Sequence, residues 1–395
     1  MTSVARSNRY HIAIFGRRNA GKSSLVNCIA GQGVSIVSDV AGTTTDTVWK
    51  NIELPGIGAA VIADTAGFDD TGELGSMRVD AARKVLGQAD VAILLLGEYD
   101  GDASLEKLWL EHITEQQLPV ILVAGKCDKE GGAERVAAWQ STLGRDVTPF
   151  SAVTGEGRKT LLDCIARQYK QDDNLDDITH SLVKPGDVVV LVMPQDASAP
   201  KGRIIQPQVQ TLRNLLDKHC IPLCCAPEEL PRLLHSLVAP PQLIITDSQV
   251  FAAVEKLTPP ETKLTSFSVL MARHKGDIDA FRSGAEVLLA LSPTARVLIA
   301  EACSHIPQNE DIGRVKLPRL LRSKLGEGLH IDVVGGNDFP DDLVGYDIVI
   351  HCGACMFGRR TVLSRVRQAK AQGVPITNYG IAIAALSGIL DRVVI

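Results

Sequence analysis

Two groups of residues in this chain have types and spacings that can do chemistry. Gly16-Arg17-Arg18-Asn19-Ala20-Gly21-Lys22-Ser23 fits the pattern G-x-x-x-x-G-K-[ST]. In such a loop the glycines let successive backbone N–H groups turn onto a phosphate, and the start of the following helix adds its dipole. Gly16, Ala20, Gly21 and Ser24 would line this cradle. Lys22 would set a point charge against the β and γ oxygens, and Ser23 would offer a hydroxyl to Mg²⁺. The second group is Cys303-x-His305 with His351-Cys352-x-x-Cys355, near the other end of the chain. Three thiolates with imidazoles nearby are donors suited to an iron–sulfur cluster or to zinc, and Gly353 lets the backbone wrap closely around a metal. A structural zinc would want four fixed ligands, whereas three cysteines with a variable fourth donor suit a 4Fe-4S cluster with one exchangeable iron.

The elements that must position these groups follow from hydrophobic patterning. Up to Tyr169, short apolar runs (His11–Phe15, Ala59–Ala63, Val91–Leu96, Val120–Ala124) alternate with helical patterns (Lys22–Ala30, Ser76–Gln88, Leu105–Gln116, Lys159–Gln168). That alternation predicts βα units on a parallel sheet covered by helices. The glycine-rich loop therefore falls between a strand and a helix, the context its chemistry requires. Asp64-Thr65-Ala66-Gly67 ends the second apolar run, so the Asp64 carboxylate can reach the Mg²⁺ shell and the Gly67 amide can face a γ-phosphate. Gly42-Thr43-Thr44-Thr45-Asp46 sits where a threonine hydroxyl, that of Thr44, can complete the metal shell on a loop that senses the γ-phosphate. Lys126-Cys127-Asp128 and Ser151-Ala152 each follow a strand, and Asp128 can accept from guanine N1 and N2 hydrogens, which adenine does not offer.

The acidic stretch Gln171–Asp177 reads as a linker. Beyond it lie two more α/β patterns: strands Val188–Val192 and Leu243–Thr246 with helices Val209–Lys218, Pro227–Leu237 and Gln249–Leu257, then strands Arg296–Ala300, Asp347–Ile350 and Pro375–Thr377 with helices Ile278–Leu291, Lys316–Leu325 and Val362–Gln372. Both Cys/His clusters emerge at carboxyl ends of predicted parallel strands, the edge where α/β sheets assemble ligand sites, so they can meet in space. The expected fold class is α/β in three modules.

Composition narrows the function. The chain has 395 residues, too many for one ordinary domain, and 45% hydrophobic with 22% charged residues is a folded globular composition. Lys+Arg 41 against Asp+Glu 46 leaves a net charge of −5, which disfavours nucleic acid as the main partner. The N-terminus lacks the apolar core of a secretory signal, and no apolar run is membrane-spanning, so a cytoplasmic, membrane-free protein is expected. Nine cysteines, an odd number, argue for reduced thiols. Cys28, Cys127, Cys164, Cys220, Cys224 and Cys225 lack a ligand context and are expected in the core.

The order G-x-x-N-x-G-K-S, G-T-T, D-T-A-G and S-A-x-x-G-x-G resembles the translation-factor-related GTPases of the TrmE-Era-EngA type over about the first 170 residues. The resemblance implies GTP/GDP binding with Mg²⁺ and makes Asn19 a ligand of a monovalent cation, K⁺, that stimulates hydrolysis. Two departures stand out. Gly125 occupies the place of the asparagine in N-K-x-D, which would weaken guanine binding while Asp128 preserves selectivity. Thr45 replaces an arginine and Phe68 stands where a water-orienting glutamine could, so turnover is expected to be slow; Asp69, Asp70 and Glu73 are nearby carboxylates without a stronger claim than a solvated loop. The GTPase pattern alone also admits a ribosome- or RNA-associated protein, or an adaptor with a structural zinc.

C-x-H … H-C-x-x-C at the end of a GTPase chain is similar to the HydF family of FeFe-hydrogenase maturation GTPases, and that likeness covers the full length. It implies a GTPase domain at 1–171, a dimerisation domain at 178–262 and an iron–sulfur domain at 270–395. It assigns Cys303, Cys352 and Cys355 as 4Fe-4S ligands, with His351 or His305 as a candidate fourth donor or as a group that supports the ligands without binding the metal. It further implies a homodimer that carries a diiron subcluster precursor, works with two radical-SAM maturases and delivers its cargo to apo FeFe-hydrogenase.

Overall fold

A computed structural model of the chain describes residues 9–30, 48–65, 67, 81–171, 177–195, 204–302, 311–336, 338–354 and 356–394. It divides into two units, Met1–Asp172 and Asp173–Ile395.

In the first unit, β1 (Tyr10–Phe15), β2 (Val48–Leu54), β3 (Gly58–Asp64), β4 (Val91–Leu96), β5 (Val120–Ala124) and β6 (Thr148–Pro149) form one sheet in the order β2-β3-β1-β4-β5-β6. All pairings are parallel except β2 with β3. β1 and β4 are apolar on both faces and buried throughout, because α1 (Lys22–Ala30), α2 (Ser104–Glu115), α3 (Gly132–Leu143) and α4 (Arg158–Gln171) cover the sheet. On α2, Trp109, Leu110 and Ile113 recur at helical spacing and pack inward, Trp109 stacking on Phe15 of β1 at 5.4 Å. Burial of residues the size of Leu110 or Ile113 contributes about 1.5–3 kcal/mol each. The expected helix at Ser76–Gln88 is helical at 81–86, and its first residues lie outside the described set.

The second unit holds two four-stranded, all-parallel sheets. β7 (Val188–Val192), β8 (Ile221–Cys225), β9 (Leu243–Thr246) and β10 (Lys263–Ser266) run in the order β10-β9-β7-β8, and β11 (Arg296–Ala300), β12 (His330–Val334), β13 (Ile348–His351) and β14 (Ile376–Asn378) in the order β12-β11-β13-β14. The two orders are the same topology: the first strand lies inside, the second flanks it on one side, and the third and fourth follow on the other. Connecting helices are α5 (Gln206–Asp217), α6 (Leu230–Ser236) and α7 (Phe251–Glu255), then α8 (Phe267–Lys275), α9 (Ile278–Leu289), α10 (Leu317–Leu325), α11 (Arg359–Ala371) and α12 (Tyr379–Leu386).

The two sheets share one apolar core, in which Val190 and Ile244 join Leu298, Val349 and Ile381. The chain end returns to the first of them: Val394 donates to Leu264 at 2.8 Å, and Thr265 Oγ1 donates to the Val394 carbonyl at 2.8 Å. β10 thus extends the middle sheet past residue 262, and residues 393–394 lie against it, with Val393 also in the core that the two sheets share. Of the six cysteines expected in the core, Cys220 is buried while Cys224 is exposed on the edge strand β8.

Candidate functional site

The phosphate loop follows β1, whose register sets Ile14 beside Asp64 of β3. Gly16 has φ +156°, and a Cβ there would lie 2.5 Å from the Leu95 carbonyl oxygen, so only glycine lets the loop cross β4 this closely. Asn19 (φ +61°) and Gly21 (φ +105°) turn the loop into α1 through the left-handed region, with Ala20 buried between them and Ser24 exposed on the first turn. The Lys22 ammonium folds back over the loop and donates to the Gly16 and Arg17 carbonyls, both at 2.9 Å. Ser23 Oγ donates to Asp64 Oδ2 at 2.7 Å, so the hydroxyl and carboxylate expected to share a cation stand together. Thr65 Oγ1 donates to the Ile14 carbonyl at 2.6 Å and fixes the end of β3. Gly67 is half-buried just beyond; Thr43, Thr44, Thr45, Asp46, Phe68, Asp69, Asp70 and Glu73 lie outside the described residues.

The base-side loops meet across β5 and β6. Phe150 donates to the Ala124 carbonyl and Cys127 to the Phe150 carbonyl, which brings Asp128 to Ser151. Ser151 Oγ donates to Asp128 Oδ1 at 2.6 Å and accepts from Val153 and Thr154 N–H groups. That hydroxyl holds the exposed Asp128 carboxyl below its ordinary range, keeping it an acceptor. Lys126 has φ +57° and pairs with Glu98 at 3.8 Å, and Ala152 is half-buried beside Ser151. Gly125 packs on the phosphate loop, where a Cβ would sit 3.3 Å from both the Ala20 carbonyl and Leu95 Cδ1. The missing asparagine thus coincides with close packing of two loops.

Two contacts here carry no sequence signal because their partners are far apart in the chain. Arg17 Nε and Nη2 donate to Glu106 Oε1 and Oε2 of α2 at 2.6 and 2.8 Å, and Nη2 also reaches the Asp102 carbonyl. Arg158 of α4 donates to the Cys28 and Ile29 carbonyls and satisfies the end of α1.

The cysteine turn follows β13. Ala300 pairs with His351 across β11 and β13, and Cys352 donates to the Ala300 carbonyl at 2.9 Å. Cys352 Sγ in turn accepts from the Ala302 N–H at 3.0 Å and the Ala354 N–H at 3.4 Å. The residue before Cys303 therefore touches the Cys352 sulfur. Cys303, His305 and Cys355 themselves lie outside the described residues, and among the described residues no three His, Cys, Asp or Glu side chains gather around one point.

His351 is wholly buried, and both of its ring nitrogens are engaged. Arg365 Nη1 donates to Nε2 at 3.0 Å, which puts the ring proton on Nδ1, and Nδ1 donates to the Cys352 carbonyl at 2.8 Å. Burial, with the Arg365 charge beside it, pushes the imidazole down to about 3. Through these two bonds His351 holds the turn. Arg365 and Lys275 complete the surround: Lys275 Nζ, buried, donates to the Ala354 and Phe357 carbonyls at 3.0 and 2.9 Å. Neither cation stands near the cysteines in sequence, so spacing could not reveal them.

Comparisons with known proteins match three stretches of the chain. Residues 178–276 match the hydrogen maturase F dimerization domain, residues 279–395 the hydrogen maturase F tetramerization domain, and residues 11–126 the 50S ribosome-binding GTPase family. GTPase Der of Parvibaculum lavamentivorans is 34% identical over 164 residues, covering 41% of this chain and 34% of that protein. The tRNA modification GTPase MnmE of Haemophilus influenzae is 38% identical over 156 residues, covering 38% and 34%. The chain thus spans about a third of the length of these curated relatives. Among solved structures, Aquifex aeolicus Era bound to GDP and AlF4⁻ aligns with TM-score 0.34 and 22% identity over 55% of this chain and 92% of that one. The G domain of the T. maritima FeoB iron transporter aligns with TM-score 0.32 and 25% identity, over 41% and 99%. Among the described residues no helix is long and apolar enough to cross a membrane.

Proposed function

The chain belongs to the hydrogen maturase F family, and from that premise we propose that it is a hydrogenase-maturation GTPase whose third module holds a 4Fe-4S cluster on Cys303, Cys352 and Cys355. It carries a diiron subcluster precursor, receives it through two radical-SAM maturases, and delivers it to apo FeFe-hydrogenase in the cytoplasm as a homo-oligomer. The cluster provides the iron–sulfide platform beside which the precursor is held.

One observation carries the metal reading: the Cys352 sulfur is cradled by backbone N–H groups from both cysteine-bearing strand ends. Such N–H···S bonds favour the thiolate, the form that binds metal. At the other site, Lys22 exchanges the loop carbonyls for β and γ oxygens, and Ser23 and Asp64, with Thr44, hold Mg²⁺. Asp128, kept ionised by Ser151, accepts from guanine. Asn19 supports a K⁺ that speeds an otherwise slow hydrolysis.

Anaerobic purification with iron and sulfide analysis and electron paramagnetic resonance tests this reading. Brown protein with a reducible cluster is the expected result, and a colourless, zinc-stoichiometric preparation refutes it. Lys22→Ala should abolish hydrolysis and keep iron, and Cys352→Ala should do the reverse.

A further inference from the structure

Among the described residues, Arg365 is a buried cation with no carboxylate partner. Its residue is 6% exposed, its guanidinium lies between the Phe339 and Phe357 rings at 4.6 Å from each centroid, and its N–H groups go to neutral acceptors, His351 Nε2 and the Gly336 carbonyl. Among the described residues no carboxylate pairs with it. Removing a guanidinium from water is expensive unless a negative charge compensates, and two aromatic faces and two dipoles compensate only in part. Its bond to His351 sets it one residue from Cys352, whose carbonyl the same imidazole holds. A second buried cation, Lys275, grips the same turn from α8 through the Ala354 and Phe357 carbonyls.

We infer that Arg365 is the built-in counterion of the metal–thiolate centre and, through His351 and Phe357, the residue that positions its turn. The inference rests on the cluster reading above and adds to it a residue that sets the centre's charge balance. One arm of the fork fixes His351, which fixes the Cys352 carbonyl; the other ties the turn after β12; and the planar face clamps Phe357, two residues beyond Cys355. A fixed positive charge beside a cluster would favour its reduced, more negative state and so would raise its reduction potential. Lys275 acts in the same direction, but it bonds two carbonyls of the turn directly, so Arg365 is the better probe of charge.

The test uses the full-length chain, anaerobically reconstituted with iron and sulfide, and a redox titration followed by electron paramagnetic resonance. In Arg365→Met the reduced-to-oxidised ratio at a fixed ambient potential should fall at least tenfold, equivalent to about 59 mV for a one-electron couple. Arg365→Lys, which keeps the charge, should stay within threefold of wild type. Equal shifts in both variants, or none in Arg365→Met, overturn the inference while leaving the cluster reading intact; a wild-type chain that takes up no iron and sulfide overturns both. Where Arg365→Met loads poorly, uptake itself decides: Arg365→Lys, which keeps the charge but not the fork to His351 and Gly336, should take up iron and sulfide as wild type does, and equally poor uptake in both variants overturns the counterion role.

Discussion

Replacing Arg17 by alanine tests whether the phosphate loop is held in place from outside itself. The Glu106 side chain is 1% exposed and that of Arg17 25%, so the two ends of this pair are unequal. Arg17→Ala removes two charge-assisted bonds and leaves a carboxylate buried without its cation, which costs about 3–5 kcal/mol in such settings. Water entering the vacated, partly exposed space brings the figure to the lower end, ~3 kcal/mol. For a unit of the size of Met1–Asp172 each kcal/mol lowers Tm by about 2–4 °C, so a fall of about 6–12 °C is expected. Glu106→Gln is milder, because the amide oxygen still accepts from Nε while one strong bond is lost, about 1–2 kcal/mol. The Arg17 carbonyl also receives the Lys22 ammonium, so a loosened loop should weaken GDP binding by roughly tenfold, about 1.4 kcal/mol. Scanning calorimetry with and without GDP identifies the transition of the first unit, and a fluorescent GDP analogue reads the affinity. If the two variants cost the same, or if Arg17→Ala shifts Tm by less than about 2 °C with affinity unchanged, the pair is ornamental and the reasoning fails.

Two further outcomes follow from named contacts. His274 is pushed down to about 4, first by burial and then by Lys275 beside it, whereas an unfolded chain binds the proton near its ordinary value of about 6.5. Its folded pKa is the lower one, so the stability it contributes is complete above about pH 6.5 and disappears as pH falls towards 4, roughly 2–3 kcal/mol in all; the slope of urea-unfolding stability against pH in iron-free protein should flatten in His274→Gln, and an unchanged slope counts against it. Gly125→Asn restores the amide that the base-recognition pattern lacks and should tighten GDP binding by about tenfold if one supporting hydrogen bond of ~1 kcal/mol or slightly more forms; weaker binding in a titration would mean that the 3.3 Å approach to the Ala20 carbonyl cannot accommodate a Cβ.

What could be read from the sequence was whatever is local. The buried parallel strands β1, β4, β5, β7, β9 and β11 are continuous apolar runs bounded by polar or turn residues, and their spans agree closely with those anticipated from patterning. The elements without a signal each lack that contrast. β8 and β12 are edge strands, one carrying Pro222 and both only partly covered, so their sequences do not form a clean apolar run. α12 is apolar nearly all round, with seven of its residues buried, and so shows no amphipathic period. The same division holds at the sites. Loop glycines and cysteines are spaced by local geometry, whereas Arg17 with Glu106, and His351 with Arg365, are joined only by tertiary packing, across 89 and 14 residues.

Topology explains why the chemistry sits where it does. In an open parallel sheet a crevice forms outside the carboxyl ends of the two strands from which the chain departs in opposite directions. In the first unit those strands are β1 and β4, and the phosphate loop leaves β1. In the third module they are β11 and β13, and Cys303 and Cys352 follow those two strands, with the Ala302 N–H to Cys352 Sγ contact spanning the crevice. The middle sheet has the same crevice between β7 and β9, but there the strand ends supply Met193, which is buried, and Asp247, which is half-buried and accepts from Gln208 at 2.9 Å. A shared strand order therefore fixes where a ligand could sit, and the residue types at two strand ends decide whether anything is there to hold it. That is why cysteines at the ends of β11 and β13 carry more weight than the same residues would on β8, where Cys224 lies on an edge and faces solvent.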